Sequence, residues 1–237
     1  DSDPADDHGH GTHVAGVIAA RPNNRTGIAG LSWGAHILPL KACDSTGACG
    51  TFEVVASIVR AIEEKARIIN LSLAGPAESC PREFELAARL AENQDVLLVA
   101  GAGNSAQQGN PVMYPAACEG YMGVGATSPA DEWAGFSEHG DFVDISAPGV
   151  MILSTLPPLL VMQDDPDNPG YGVADGTSMA TPHVVGLAAL LLSQHPDWGP
   201  AEIQNRIEQT SVDLGRKGRD PYFGAGRIDV ARALRGD

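Results

Sequence analysis

The sequence has few basic residues and no long apolar run, and each absence excludes a class of protein. Its 15 lysines and arginines stand against 30 acidic residues, a net charge of -15, which argues against nucleic acid or an anionic membrane as a partner. No apolar run reaches the roughly 20 residues that a bilayer-spanning helix requires. The first residues lack the basic and apolar regions of a signal peptide. We therefore predict a soluble exterior and no targeting segment within the chain.

The sequence also lacks a C-x-x-C pair, which removes the usual support for a zinc ribbon or a thioredoxin-like site. Its four cysteines are Cys43, Cys49, Cys80 and Cys118. The first two flank DSTGA, a turn-rich stretch that suits a small closed loop, and pairing them leaves Cys80 with Cys118. Three connectivities are possible, and free buried thiols are the alternative. Disulfides would indicate an oxidising, extracellular location.

The pattern along the chain predicts one large α/β domain with a buried core, and two domains are the less favoured alternative. The 237 residues are 43% hydrophobic without a shift in composition, and short apolar runs alternate with helical patterns, which is typical of a parallel sheet. The predicted strands cover 35–42, 66–74, 95–103, 120–128 and 142–149. The predicted helices cover 12–20, 52–66, 82–93, the run following Gly176, and 200–211.

One predicted helix differs from the others because it is apolar nearly all round. The segment SMATPHVVGLAALLLSQHP is therefore expected to be a central buried helix, with Pro182 near its first turn. Before it, between Ser154 and Tyr171, the proline- and acid-rich stretch LPPLLVMQDDPDNPG is typical of a surface loop.

Three short motifs carry side chains suited to catalysis. In GHGTHVAG, glycines permit a tight turn before a helix, and a histidine held there suits a general base. In DGTSMATPH, Ser178 begins a helix, which suits a nucleophile with an oxyanion-binding N–H. Asn104 follows a predicted strand, at the sheet edge where α/β proteins bind ligands. Singly these are common turn and N-cap residues, but together they indicate one active site.

The motifs resemble those of a known family. HGTHVAG at 10–16, GAGNS at 101–105 and GTSMATPHVVG at 176–186 resemble the histidine, oxyanion-asparagine and serine motifs of subtilisin-like serine proteases, the subtilases. The resemblance extends over nearly the whole chain through INLSLAGP (69–76), YPAAC (114–118), FSEHGDFVDISAPG (136–149) and GAGRIDVARA (224–233). It implies a three-layer α/β fold with a central, mostly parallel sheet, and a secreted endopeptidase.

The same resemblance implies roles for three residues. His10 would take the proton from Ser178, Ser178 would attack the scissile carbonyl, and Asn104 with the Ser178 N–H would hold the oxyanion. No cofactor is expected for catalysis.

An extended polypeptide substrate would bind as an added strand between two segments of the cleft. By resemblance, the segments are Gly47, Ala48 and Cys49 on one side and Ser72, Leu73 and Ala74 on the other. Gly101, Ala102 and Gly103 would line a wall of the S1 pocket, which receives the P1 side chain, and Met113 would approach its floor. Small residues are common in the family at the position of Met113, and Met113 and Ala74, which both depart from the family pattern, would narrow the pocket. Because these segments contain no acid, we expect an apolar P1 residue.

The segment ARPNNRTGIAG resembles the calcium-binding loop of many subtilases. The implied ligands are the carbonyls of Pro22, Thr26 and Ile28 and the side chain of Asn24. Oxygen ligands suit this hard cation. The upstream ligands of the family, an aspartate among them, are not matched, and a plain turn is the alternative.

The third member of the triad is unassigned. The family's aspartate lies on an early strand some tens of residues before the histidine, whereas nine residues precede His10. Asp1, Asp3, Asp6 and Asp7 lie in a predicted loop and are expected to be solvated rather than to orient His10. We therefore predict that 1–237 is a catalytic domain truncated before His10, without the strand of the catalytic aspartate. A catalytically impaired fragment or a pseudoprotease is the alternative.

Two other enzyme classes fit the sequence less well. A metal site on His8, His10 and His13 lacks the H-E-x-x-H pattern and would leave the serine and asparagine motifs unexplained. An α/β-hydrolase esterase requires G-x-S-x-G, but Ala180 occupies the position of the second glycine. Neither the oligomeric state nor the physiological substrate follows from the sequence.

Overall fold

The computed structural model describes residues 5–157 and 170–235. The strands are β1 (Ile68–Leu71), β2 (Gly75–Pro76), β3 (Leu97–Gly101), β4 (Met113–Tyr114), β5 (Tyr121–Thr127), β6 (Ile145–Pro148), β7 (Ile152–Thr155) and β8 (Tyr171–Ala174). The central sheet is parallel, in the order β1-β3-β5-β6. Two antiparallel pairs, β2 with β4 and β7 with β8, lie outside it.

The helices cover both faces of the central sheet. They are α1 (His10–Ala19), α2 (Thr51–Glu63), α3 (Arg82–Glu92), α4 (Thr177–Gln194), α5 (Pro200–Gln209) and α6 (Val230–Leu234), with a 3₁₀ turn at Ala106–Gln108. The five predicted helices are all present, with ends that differ by a few residues. No helix in the described ranges is long and apolar enough to span a bilayer.

Strand β3 shows how the layers are built. Its side chains alternate between the two faces of the sheet. Leu97 and Val99 pack in the core formed with α1, α4 and α5, while Leu98 and Ala100 pack in the core formed with α2 and α3. Every residue of β3 is buried, as expected for a parallel strand covered on both faces. The predicted three-layer α/β fold is therefore confirmed.

Helix α4 is the predicted central buried helix. It packs against α1 and all four strands of the central sheet. Pro182 lies further in than expected, as the sixth residue counted from Thr177, and it lacks the N–H that would bond to Ser178 O. Ser72 Oγ donates a hydrogen bond to Ser178 O instead, at 2.8 Å. This side chain satisfies the carbonyl that the proline leaves without a helical partner.

The strand predicted over 35–42 was wrong. These residues form no strand, and Ile37, Leu38 and Leu40 are 42%, 45% and 37% exposed. They line a cleft of about 1750 Å³ whose lining also includes β1. The described structure places no strand between them and β1, so an apolar segment suited to a sheet has no ladder to join. For the same reason β1 is an edge strand.

Both predicted disulfides are present. Cys43 pairs with Cys49 and Cys80 with Cys118, which rules out free thiols for these four residues. The first bridge closes the small DSTGA loop, and the second joins the start of α3 to the turn before β5. Of the predicted surface loop between β7 and β8, residues 158–169 lie outside the described residues.

Candidate active site

The fold brings His10, Asn104 and Ser178 to one cleft. His10 is the first residue of α1, Asn104 follows the end of β3, and Ser178 is the second residue of α4. The cleft runs along β1 and includes residues that follow the carboxyl ends of β1 and β3, the edge at which parallel sheets place their sites. Three segments distant in sequence therefore present the predicted base, nucleophile and oxyanion donor on one surface.

Ser178 lies in the first turn of α4, where main-chain N–H groups have no helical acceptor. Its hydroxyl donates to Ser72 O at 3.2 Å. None of the hydrogen bonds among the described residues joins Ser178 to His10. The absence of this bond does not exclude a catalytic pair, because catalytic contacts are often long or misaligned in unliganded enzymes.

The amide of Asn104 has a fixed orientation. Its Oδ1 accepts hydrogen bonds from Thr177 N at 2.8 Å and Thr177 Oγ1 at 3.1 Å. With Oδ1 occupied, Nδ2 is the group left to donate into the cleft. Gly176, which precedes Thr177, has φ of 152°, a conformation that favours glycine. Sequence reasoning missed Thr177, although it stands beside Ser178 in the serine motif.

His10 is suited to accept a proton. Burial lowers the pKa of its imidazole, the neighbouring His8 and His13 lower it further, and Asp6 raises it. A lowered pKa leaves the ring neutral near pH 7, with one nitrogen lone pair available. Gly9, with φ of 92°, makes the turn that directs the chain into α1 at His10.

The acids just before His10 serve the local fold. Asp6 Oδ1 accepts from Gly9 N at 2.7 Å, and Asp6 Oδ2 accepts from Thr12 N at 2.7 Å and Thr12 Oγ1 at 2.6 Å, so Asp6 caps α1. Asp7 forms an ion pair with Lys41 at 2.8 Å. Asp1 and Asp3 lie outside the described residues. Within the described ranges, no carboxylate is hydrogen-bonded to His10.

The neighbouring histidines do not form a metal site with His10. The buried His13 ring points away towards β7 and β8, with Nε2 at 3.0 Å from Ile152 O and 3.2 Å from Gly172 O. His8 is exposed, and its ring centre is 6.3 Å from that of His10. Among the residues that the structure describes, no group of three histidine, cysteine or acidic side chains could hold a metal ion.

The predicted substrate residues line the cleft, with two exceptions. Those that line it are Gly47, Ala48, Cys49, Ser72, Leu73, Ala74, Gly103 and Met113. Gly101 and Ala102 do not line it, and their place in the S1 wall stays a prediction. Gly101 ends β3, and the Ala102 N–H extends the ladder to Val124 O at 2.9 Å, so both are buried in the sheet. Gly103 is also buried, and Asn104 is the first exposed residue after β3.

The loop predicted to bind calcium encloses a shallow cavity lined by residues 22–29. The Asn24 side chain already accepts a hydrogen bond from Thr26 N at 3.1 Å, which forms a turn. The oxygens of this loop are the type that calcium prefers. However, the loop has no carboxylate, and Arg21 and Arg25 add positive charge. The oxygen ligands of the loop therefore suit calcium, whereas its positive charge disfavours binding of this cation.

Comparisons with known proteins agree with the geometry. The sequence profile of the Subtilase family matches residues 1–226. The chain is 40% identical over 230 residues to subtilisin amylosacchariticus of Bacillus subtilis subsp. amylosacchariticus, covering 96% of this chain and 56% of the relative. It is 39% identical to subtilisin of Bacillus pumilus over 230 residues, covering 96% and 78% respectively.

A solved structure also matches. Fervidolysin from Fervidobacterium pennivorans, a keratinolytic enzyme related to subtilisin, matches with a TM-score of 0.85 at 32% identity. The match covers 98% of this chain and 36% of that one. The chain thus spans little more than half of the Bacillus subtilis relative and about a third of fervidolysin.

Proposed function

Because this chain belongs to the subtilase family, we propose that it is a serine endopeptidase that cleaves peptide bonds through an acyl-enzyme. The observation that carries the proposal is the convergence of His10, Asn104 and Ser178 on one cleft. The lowered pKa of His10 supports a general base, and the position of Ser178 in the first turn of α4 supports a nucleophile whose own N–H has no intrahelical acceptor.

The proposed reaction begins when the Ser178 hydroxyl leaves Ser72 O and turns to His10. His10 takes the hydroxyl proton while Ser178 Oγ attacks the peptide carbonyl carbon. The oxyanion of the tetrahedral intermediate accepts hydrogen bonds from Asn104 Nδ2 and Ser178 N. Protonated His10 then gives its proton to the leaving amine, and water repeats the sequence on the acyl-enzyme.

The acid that orients His10 would come from an additional strand beside β1, so that 1–237 is a catalytic domain lacking this strand. The cleft between 35–42 and β1 supports this assignment, since apolar side chains and a sheet edge both face a strand-sized gap. His10 lines the same cleft. An aspartate at the carboxyl end of a parallel strand would therefore lie near its imidazole.

A second candidate follows from the carboxylates that are described. Asp6 and Asp7 are engaged elsewhere, so the chain by itself would be an impaired enzyme or a pseudoprotease. Loss of the orienting acid lowers kcat about 10⁴-fold in serine proteases, which leaves a weak but measurable activity. The protease with its orienting acid and the chain without it would therefore differ in kcat by orders of magnitude.

The substrate would be an extended polypeptide held along segments 47–49 and 72–74 of the cleft. Met113 is 7% exposed and lines the cleft beside Gly103, which supports an apolar P1 residue. The net charge of -15 argues against nucleic acid as a partner. The two disulfides support an extracellular location.

Labelling with a fluorophosphonate probe tests the proposed function. The chain is expressed as printed, and with any residues encoded immediately upstream, each beside its Ser178→Ala variant. We expect strong labelling in the extended form, weak labelling in the printed chain, and none after Ser178→Ala. A folded, extended protein that does not label at Ser178 would favour the pseudoprotease.

We also propose a structural calcium ion in the loop 22–28, bound by the carbonyls of Pro22, Thr26 and Ile28 and by the Asn24 side chain. These neutral ligands provide four of the six to eight that calcium takes, and water would complete the shell. Added CaCl₂ should raise the thermal midpoint in wild type and not in Asn24→Ala. Equal midpoints with CaCl₂ and with EDTA in the wild type would leave the loop as a plain turn.

A further inference from the structure

Glu138 is a fully buried acid next to the proposed oxyanion hole. It follows the FS of the FSEHGD stretch, is 0% exposed, and belongs to no ion pair among the described residues. Sequence reasoning did not single it out, because nothing in the motif indicates that its side chain turns inward. None of the proposed catalytic steps uses it.

Glu138 forms hydrogen bonds with the residues immediately before and after Asn104. Glu138 Oε1 accepts a hydrogen bond from Ser105 N at 2.7 Å. The main-chain N–H of Glu138 donates to Gly103 O at 3.2 Å. One residue therefore bonds to both neighbours of the oxyanion asparagine.

The carboxylate also lies against the pocket wall. Gly103 has φ of 110°, and a Cβ there would be 2.6 Å from Glu138 Oε2 and 2.8 Å from Met113 Cγ. The glycine thus lets the acid approach its main chain. Glu138 Oε2 itself has no hydrogen-bond partner.

A contribution to the stability of the fold does not explain why the buried residue 138 is a glutamate. Burying a carboxylate without a cation or a full set of donors is unfavourable, and burial raises the pKa of Glu138. An apolar side chain of similar size would fill the same space without this cost. The acid is therefore best explained by what its charge-assisted bond to Ser105 N does for the loop.

We propose that Glu138 is a positioning residue of the oxyanion hole, which holds the 103–105 loop so that Asn104 Nδ2 meets the developing oxyanion. The inference rests on the proposed function. Thr177 fixes the Asn104 amide through its oxygen, whereas Glu138 fixes the main chain that carries the side chain. A small displacement of a preorganised donor is enough to lower the rate of the chemical step.

Two substitutions separate the acceptor from the charge. Glu138→Leu removes the acceptor for Ser105 N, whereas Glu138→Gln keeps an oxygen at that position. Ser146→Ala is the control, because Ser146 is equally buried and its hydroxyl donates to Phe223 O at 3.2 Å, away from the loop. Peptide hydrolysis and hydrogen exchange of the Ser105 amide are measured for each variant, together with thermal stability.

We expect Glu138→Leu to lower kcat on the order of 10-fold with KM changed less than about twofold, and to speed exchange at Ser105. Glu138→Gln should recover most of both. Ser146→Ala should lower stability and leave kcat unchanged. An unchanged kcat in Glu138→Leu would overturn the proposal. So would a loss confined to substrates with lysine or arginine at P1, which would make Glu138 a contact for the P1 side chain.

Failure of the proposed function would look different. In that case wild type and Ser178→Ala would hydrolyse peptides equally poorly, and the exchange measurement would decide the inference alone. Faster exchange at Ser105 in Glu138→Leu, recovered in Glu138→Gln, would support it. Equal exchange in all variants would overturn it.

Discussion

Ser72 and Ser178 exchange hydrogen bonds: the Ser72 hydroxyl donates to Ser178 O at 2.8 Å, and the Ser178 hydroxyl donates to Ser72 O at 3.2 Å. The pair joins the start of α4 to the segment that follows β1. Because the Ser72 main chain is also proposed to bind substrate, an arriving peptide would compete with the Ser178 hydroxyl for this contact. Substrate binding would then release the nucleophile towards His10.

The first prediction concerns Ser72→Ala. Pro182 has no N–H for Ser178 O, so removing the Ser72 hydroxyl leaves a part-buried carbonyl without this donor. We expect the free energy of unfolding to fall by about 1–3 kcal/mol, measured by urea denaturation. Ser57→Ala is the control, since its hydroxyl bonds Glu53 O within α2, and a change of at most about 0.5 kcal/mol is expected. Equal effects of the two substitutions would contradict this account.

The second prediction concerns Asn104→Ala in the form that labels with the probe. The amide is proposed to contact the oxyanion, which forms only during reaction. We therefore expect kcat to fall about 100- to 1000-fold with little change in KM, as measured with a chromogenic peptide. Asn93→Ala, at the end of α3, should have no effect. A rise in KM at constant kcat would instead place Asn104 in ground-state binding.

The third prediction concerns pH. Burial lowers the pKa of His13 and of His183, so below about pH 6.5 the unfolded chain binds protons that the folded chain does not. Stability is therefore complete above that pH and falls as the solution is acidified towards the folded pKa values. Urea midpoints between pH 8 and 5 should show a shallower fall in His13→Gln than in wild type. A wild-type slope in His13→Gln would contradict the assignment.

The fourth prediction compares the disulfides. Cys80 and Cys118 are 38 residues apart and Cys43 and Cys49 are 6 apart, so loop-closure entropy predicts losses of about 4 and 2 kcal/mol respectively when each pair is replaced by alanine. The short loop carries Gly47 to Cys49 of the cleft, so its loss should also raise KM. Urea denaturation and peptide kinetics measure the two effects. Equal KM values for both double variants would contradict the role of the short loop.

The sequence predicts most of the fold because its patterns are local. The apolar runs of β3 and β5 are buried on both faces, and α4 is apolar all round, so each element is specified by its own residues. Segment 35–42 has the same pattern, but a strand also requires a neighbour to bond, which the segment's own residues cannot show. Pro182 lies further from the start of α4 than expected. The fold tolerates this position because Ser72, which is distant in sequence, donates a hydrogen bond to Ser178 O, the carbonyl that Pro182 leaves without a helical donor.

The candidate site likewise contains some residues that the sequence identifies and others that it does not. His10, Asn104 and Ser178 stand in motifs whose residue types carry the chemistry, so the sequence identifies them. Thr177 and Glu138 form hydrogen bonds with segments more than thirty residues away, and Gly101 and Ala102 are buried beside β5. These relationships depend on packing, which a single sequence does not display.

Because the edge of β1 is unpaired, the net negative charge affects how readily copies of the chain associate. Unpaired strand edges bind one another at short range, and Ile37, Leu38 and Leu40 offer apolar area beside this one. A net charge of -15 makes copies of the chain repel each other at distances up to the screening length of about 10 Å in 0.1 M salt. For residues 1–237 alone, the repulsion acts before the edges can meet, and we expect association to increase with salt concentration.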